Sequence, residues 1–328
     1  MKKNIAIVWG GYSSEKEVSE KSAVGIYSFI DKEKYNVYTV KIDHESWSAS
    51  YKNNTYPIDK NDFGFMADSE AIKFDFAYIT IHGTPGEDGT LQGYFDMLGI
   101  PYSNSGVLSS ALTFNKFVCN RYLKSFGIKV PESVLLKKNS VYNTDEIVAH
   151  LGLPVFVKPN AGGSSFGTTK VKDFSQLDKA VADAFNESSE VIVESFIAGT
   201  EVTCGCYKNG QGLQVLPLTE VVSHNEFFDY AAKYKGQVEE ITPARISKQM
   251  TRKIKETTSL IYDLVGAKGI IRADYIISVN TPVLLEINTT PGMTPTSFIP
   301  QQVAAANLSM TDVLSEIIEY EYSKVKSF

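Results

Sequence analysis

Cysteine is scarce: Cys119, Cys204 and Cys206 are the only three in 328 residues. That is too few for a disulfide framework and points to a cytoplasmic setting. Cys204 and Cys206 sit inside EVTCGCYK without accompanying ligand residues, so they read as strand packing and not as a metal site. Basic runs are missing too. With a formal charge of -6 and no lysine or arginine tract long enough to follow a phosphate backbone, a nucleic-acid partner is excluded and a small-molecule substrate is favoured. No window approaches the length of a transmembrane helix, and no membrane partner is expected. The opening MKKNIAIVWGG places lysines before an apolar stretch too short for a signal peptide, and it reads as a buried first strand. Internal repeats are absent, and so is the G-x-x-x-x-G-K-[ST] phosphate loop.

What is present alternates between strand and helix. NIAIVW, NVYTVKI and FDFAYITI read as strands, and Ser14-x-x-Glu17 reads as a capping box for a helix buried through Val18, Ile26 and Phe29. This β-α-β order predicts an α/β fold that begins with a doubly wound parallel sheet. Ligands collect beyond the carboxyl ends of such strands, where Gly10, Gly11, His82 and Gly83 fall. IPYSNSG marks a boundary, followed by a helix from about Leu108 to Phe126 and strands at ESVLL and PVFVKP. The small-residue loop NAGGSSFGT and a helix near Ser175 to Asn186 come next, then EVIVESF, a KNGQG hairpin and a helix from Ser247 to Val265. The expected units are residues 1–105, 106–190 and 191–328, with the aperiodic 223–243 stretch as a lid.

The densest chemistry lies in IIRADYII and VLLEINTT. Folding the chain about Asn280 sets Asp274 opposite Glu286 and Arg272 opposite Asn288, on one face of a hairpin whose other parity is Ile271, Ala273, Tyr275, Leu285 and Ile287. Opposed carboxylates repel, so a cation is expected between them. Two carboxylates completed by an amide oxygen and phosphate oxygens describe a Mg2+ site that carries a nucleotide. The loop after Lys158 adds Gly162, Gly163, Ser164, Ser165 and Gly167, whose backbone N–H groups can approach an anion closely. Lys116 is placed to reach the same phosphates. Glu194 through Glu201 joins two carboxylates by an apolar linker in which the backbone at Phe196 and Ile197 can read an adenine edge. His82 is a ligand contact or a loop-fixing residue, and Asp88 reads as a cap for a helix beginning near Thr90.

Taken in order, these segments resemble the D-alanine:D-alanine ligase family of ATP-grasp enzymes. The motifs run from Gly10–Ser19 through His82–Gly93, Lys116, V-K-P with G-S-S-x-G, Glu194–Glu201, Asp229–Tyr234 and R-x-D to E-x-N-T-x-P-G-M-T. The resemblance implies an ATP-grasp fold, with the N-terminal doubly wound domain followed by two α+β domains that clamp ATP. It implies ligation of two D-alanine molecules for peptidoglycan synthesis, with ATP, two Mg2+ (Mn2+ as an alternative) and a homodimer. By similarity Lys116, Lys158 and the lid's Lys233 face ATP phosphates, Glu194 and Glu201 hold adenosine, and Asp274, Glu286 and Asn288 hold the metal. Glu15, linked through Ser164 to Tyr234, meets the first ammonium, with His82 beside that amino acid. Arg272 and the Gly292 backbone stabilise the tetrahedral transition state, and Ser297 meets the second carboxylate. The competing readings are another ATP-grasp ligase with other substrates and a non-catalytic ATP-binding protein.

Overall fold

The computed structural model describes residues 2–163, 166–223 and 238–325. Strand β1 (Lys3–Gly10) leads into helix α1 (Lys16–Phe29) and strand β2 (Tyr35–Ile42), which lies parallel to β1. A hairpin of β3 (Trp47–Tyr51) and β4 (Asn54–Pro57) extends the β2 edge, and β5 (Phe65–Ala67) pairs separately with β6 (Glu70–Ile72). Strand β7 (Phe76–Ile79) flanks β1 on the other side, ahead of helix α2 (Thr90–Leu98). The sheet expected to be parallel is therefore parallel only over β2, β1 and β7. Lys52 and Asn53, with φ of 48 and 65, close a two-residue turn, so β3 and β4 return antiparallel without a crossover helix. Both faces of β1 are buried: Ile5 and Ile7 cluster with Ile26, while Ala6 and Val8 cluster with Leu91 and Phe95.

The single helix expected from Leu108 to Phe126 is two, α3 (Val107–Phe114) and α4 (Lys116–Ser125). Asn115 breaks them: its backbone is extended, and its side chain caps α4 by accepting from Val118 N at 3.0 Å. A four-stranded antiparallel sheet follows, ordered β10-β9-β11-β8. It is formed by β8 (Ser133–Lys137), β9 (Val155–Pro159), β10 (Thr169–Val171) and β11 (Glu190–Ser195), with α5 (Thr144–Leu151) and α6 (Leu177–Ala184) between them.

The last sheet is centred on β12 (Thr200–Asn209), which carries β13 (Gly212–Val215) beyond the KNGQG turn. Its main order places β15 (Val238–Ile241) beside β14 (Thr219–Ser223), then β12, β16 (Ile271–Ser278) and β17 (Thr281–Asn288). The far end of the expected lid is thus strand, since residues 238–241 pair with β14; residues 224–237, with Lys233 and Tyr234, lie outside the described residues. Helix α7 (Lys248–Leu264) starts at Ser247, which caps it through Met250 N. Helices α8 (Phe298–Ala305) and α9 (Met310–Val325) end the chain's described part. Leu314, Ile317 and Ile318 of α9 join the cluster around Ile5 and Ile7, so the C-terminal helix covers a face of the first sheet. Glu319 fastens it there, accepting from Tyr35 Oη at 2.8 Å and pairing with Lys3 at 2.6 Å.

The β16–β17 hairpin pairs Asp274 with Glu286 and Arg272 with Asn288, as its sequence predicts, although the route differs. Val279 and Asn280 both have positive φ and make a two-residue turn, which alone would shift the register by one. A bulge after Asp274 restores it, pairing Tyr275 with Leu284. Leu284 consequently fills the core at 0 % exposure, and Leu285, expected there, lines a cleft instead.

Candidate active site

One cavity of about 830 Å³ is bordered by the four-stranded sheet, by the last sheet, and by α1 with the loop that follows β7. Its floor is the β12–β16–β17 surface, where Thr203, Asp274 and Glu286 form one row and Gly205, Arg272 and Asn288 the next. Arg272 grips Asp274 with two hydrogen bonds, Nε to Oδ1 at 2.8 Å and a terminal nitrogen to Oδ2 at 2.7 Å. Asn288 Nδ2 donates to Asp274 Oδ2 at 3.0 Å. The Arg272 guanidinium also lies over the Phe298 ring at 5.1 Å, which fixes it from a second side. Glu286 faces Lys116 Nζ at 3.6 Å.

Lys116 reaches the floor because of the Asn115 break. Asn160 completes that joint: its backbone oxygen accepts from Lys116 N at 3.0 Å, its Oδ1 accepts from Phe117 N, and its Nδ2 donates to Asn115 Oδ1. The lysine therefore occupies the first helical position, with Nζ donating to Gly162 O at 2.5 Å. Lys158, at the end of β9, lines the cavity too. Glu194 does not line it; it lies behind the wall, 2 % exposed, paired with Lys158 at 2.5 Å and accepting from Asn120 Nδ2 at 3.1 Å. Phe196, Ile197 and Glu201 border the cavity near Phe156, whose ring is 6.0 Å from that of Phe196. The Phe196 N–H is engaged by Pro154 O at 3.2 Å.

The opposite wall comes from α1 and the loop that follows β7. The expected Ser14 capping box is not formed; Glu15 takes the N-cap place of α1, and its carboxylate makes no cap bond. Local capping yields to the site here. The carboxylate is buried between Gly163 and Gly83, so close to Gly163 that a Cβ there would lie 2.7 Å from Oε1. Ser13 holds this corner, donating to His82 O and accepting from Glu15 N. His82 Nε2 lies 3.3 Å from Ser22 Oγ, which also accepts from Met293 N. Burial, with help from Arg272, pushes the His82 pKa down to about 4, so its imidazole is neutral at physiological pH. Asp88 accepts from Thr90 N at 2.9 Å, as a cap residue should, although Gly89 holds the N-cap position.

One buried acid in this wall was passed over by sequence reasoning. Glu87 accepts from Gly83 N at 2.7 Å, and burial reinforced by Glu15 pushes its pKa up to about 8. Its signal was its place in the His82–Gly93 motif. Gly292 and Ser297 close the cavity beside α8, with Ser297 Oγ accepting from Thr294 N at 3.1 Å. Ser164 lies outside the described residues.

The floor fits a hard dication. Asp274, Glu286 and Asn288 supply oxygens only, and the Thr203 hydroxyl beside Asp274 is buried without a hydrogen-bond partner among the described residues. Among the described residues no three histidine, cysteine or acidic side chains gather into a metal-binding group.

Family models described as D-ala D-ala ligase N-terminus and C-terminus match residues 4–105 and 122–319. A D-alanine–D-alanine ligase of Parabacteroides distasonis is 62% identical over 329 residues, covering 100% of both chains. One of Bacteroides fragilis is 59% identical over 324 residues, covering 98% of this chain and 100% of that protein. Among solved structures, the VanG D-Ala:D-Ser ligase from Enterococcus faecalis matches with a TM-score of 0.87 and 34% identity, over 98% of this chain and 100% of that one. The D-alanine–D-alanine ligase from Bacillus anthracis complexed with ATP matches at 0.80 and 29%, over 99% of each. Matched along both halves and at full length by such relatives, the chain belongs to the D-alanine–D-alanine ligase family, ligases of the ATP-grasp fold.

Proposed function

We propose that the protein joins two D-alanine molecules into D-alanyl-D-alanine at the expense of ATP, for peptidoglycan synthesis. The observation that carries this reading is the oxygen-rich cluster of Asp274, Glu286 and Asn288 in the cavity that also holds Lys116, Lys158, Glu15, His82 and Arg272. A carboxylate is a poor acyl donor. Transfer of the γ-phosphoryl group to the first D-alanine releases ADP and leaves an acyl phosphate; the second amine then attacks its carbonyl and expels phosphate.

Lys116 and Lys158 meet the phosphates, and Glu194 acts through Lys158 by holding its ammonium in place. Glu201 and the free edge of the Phe196–Ile197 segment take the nucleoside. Asp274, Glu286 and Asn288 hold two Mg2+, or Mn2+ in their stead. When bound, the metal supplies positive charge that offsets the negative charge growing on the phosphoryl oxygens. Glu15, at the N-terminus of α1, binds the first ammonium, with neutral His82 alongside. Arg272 and the Gly292 N–H receive the tetrahedral oxyanion, and Ser297 receives the second carboxylate. Ser164, Lys233 and Tyr234, outside the described residues, complete the first-amino-acid site and a lid that excludes water from the acyl phosphate. In this reading residues 1–105 carry amino-acid recognition, and 106–190 and 191–328 clamp the nucleotide. The working form is a cytoplasmic homodimer. Light scattering reads its mass, and a monomer at working concentration sinks that assignment.

The test is dipeptide and phosphate release with ATP and Mg2+, offering D-alanine, L-alanine, D-serine and D-lactate separately and in competition. D-alanyl-D-alanine as the main product supports the reading; equal use of L-alanine, or preference for D-serine or D-lactate as acceptor, overturns it. Glu286→Gln should keep the fold and lose turnover by about 100-fold or more, because a neutral amide is a poorer ligand for a hard dication. Near-native turnover at unchanged Mg2+ demand would remove Glu286 from the metal site.

A further inference from the structure

The YSNS segment at 102–105, which the sequence marks as a boundary loop, is buried throughout: none of Tyr102, Ser103, Asn104 and Ser105 exceeds 6 % exposure. On one side it is bound to the first sheet. Ser103 N donates to Ala77 O, and Ile79 N donates to Ser103 Oγ at 3.0 Å. On the other it is wedged against the last sheet's approach, where Lys268 N donates to Ser105 Oγ and a Cβ on Gly269 would lie 1.7 Å from Ser103 O.

Asn104 is the residue of this strap that touches both halves of the amino-acid site. Its Nδ2 donates to Gly86 O at 3.4 Å, in the loop that carries His82 and Glu87. The same nitrogen donates to Thr290 Oγ1 at 3.1 Å, in the turn that runs from Asn288 to Gly292. Gly86 O is held in place by a second donor, Gln92 Nε2 at 2.6 Å. Because that carbonyl can only accept, it fixes which end of the Asn104 amide faces it. The other end, Oδ1, is buried without a hydrogen-bond partner among the described residues. An unmet buried acceptor costs stability. Packing alone would be better served by an apolar side chain, so the paired donation is the part that has a use.

We propose that Asn104 is a positioning residue that couples the His82–Glu87 loop to the Thr289–Gly292 turn, setting the distance between the seat of the first amino acid and the oxyanion donors. The inference rests on the ligase reading. Ser22 makes a second tie between the same two parts, through His82 and Met293, so loss of the Asn104 tie alters spacing without separating the layers. The nucleotide-facing residues Lys116, Lys158 and Glu201 stand outside this linkage.

Three variants test it: Asn104→Asp, which turns the donor into an acceptor opposite Gly86 O; Asn104→Ala; and Thr290→Val, which removes one hydroxyl at constant shape. Asn104→Asp should lower kcat/KM for D-alanine about tenfold or more while the Kd for a non-hydrolysable ATP analogue stays within about twofold. Thr290→Val should lower it severalfold, and the double variant Asn104→Ala/Thr290→Val should be no worse than Asn104→Ala alone. Amide hydrogen exchange at residues 83–87 should quicken in Thr290→Val, although the deleted hydroxyl belongs to the other layer. Additive losses, equal effects on nucleotide and D-alanine, or unchanged exchange at 83–87 would each overturn the coupling. If the native enzyme makes no dipeptide, the ligase reading fails, and the exchange measurement alone then decides whether Asn104 couples the two segments.

Discussion

His82 and Glu87 share one buried loop, and burial drives both toward their neutral forms from opposite directions. His82 falls from 6.5 to about 4, and Glu87 rises from 4.5 to about 8. Below pH 6.5 the unfolded histidine takes up a proton that the folded one refuses until about 4. Its share of stability is therefore present above 6.5 and lost as the pH falls to 4, by roughly 3 kcal/mol. Glu87 has the opposite sign: folded, it keeps a proton that the unfolded chain releases near 4.5, so its share is present below 4.5 and lost as the pH rises to 8. The two slopes oppose each other between 4.5 and 6.5. Above 6.5 only the Glu87 decline remains. Unfolding midpoints of Glu87→Gln should thus stay flat from about pH 6.5 to 8, where the native protein's fall. A parallel fall in both would show that Glu87 ionises freely in the folded state. His82→Gln should flatten the acid limb instead.

Elements with a clean period were legible in the sequence. Alternation of Arg272, Asp274, Glu286 and Asn288 against an apolar parity gave the hairpin face and its cross-strand partners, because a slip by one residue would bury the charges. The bulge that keeps that register was not legible, since Leu284 and Leu285 are interchangeable in hydrophobicity and only the turn at Val279 and Asn280 distinguishes them. The break at Asn115 was missed for a related reason. Apolar spacing continues across it, so periodicity alone runs the helix through, while the Asn before Lys116 was the cap signal. Ser14 misled in the other direction: its capping box does not form, and the N-cap place falls to Glu15, whose carboxylate makes no cap bond. Asn115→Ala should cost about 1–2 kcal/mol in denaturant midpoint, the cap bond and the Asn160 contact going together. It should also raise the KM for ATP severalfold, because Lys116 begins the helix that the cap fixes. Lost stability with an unchanged ATP KM would detach Lys116 from the nucleotide.

At the scale of the whole molecule, the cavity depends on how closely the first sheet's layer approaches the last. Helix α9 covers one face of the first sheet, the YSNS strap joins the two layers, and α1 lies against the Thr289–Thr294 turn through a glycine. That glycine is Gly25. A Cβ built on it would lie 2.0 Å from Met293 O and 2.9 Å from the carbonyl carbon, so backbone meets backbone and neither has a flexible end to move. Ser22, one turn earlier, uses the same proximity to accept from Met293 N beside His82. At an ordinary interior helix position, glycine to alanine stabilises by about 1 kcal/mol through helix propensity. Here the added methyl must push α1 and the turn apart, and overpacking of this kind costs about 1–3 kcal/mol. The sign of the effect therefore reports the contact. Gly25→Ala should lower the unfolding midpoint and reduce kcat/KM for D-alanine more than it weakens nucleotide binding, because Ser22, His82 and Gly292 lie along the line of approach. A raised midpoint with unchanged kinetics would mean that α1 and the turn stand further apart in solution, and that the cavity's amino-acid end is set by other contacts.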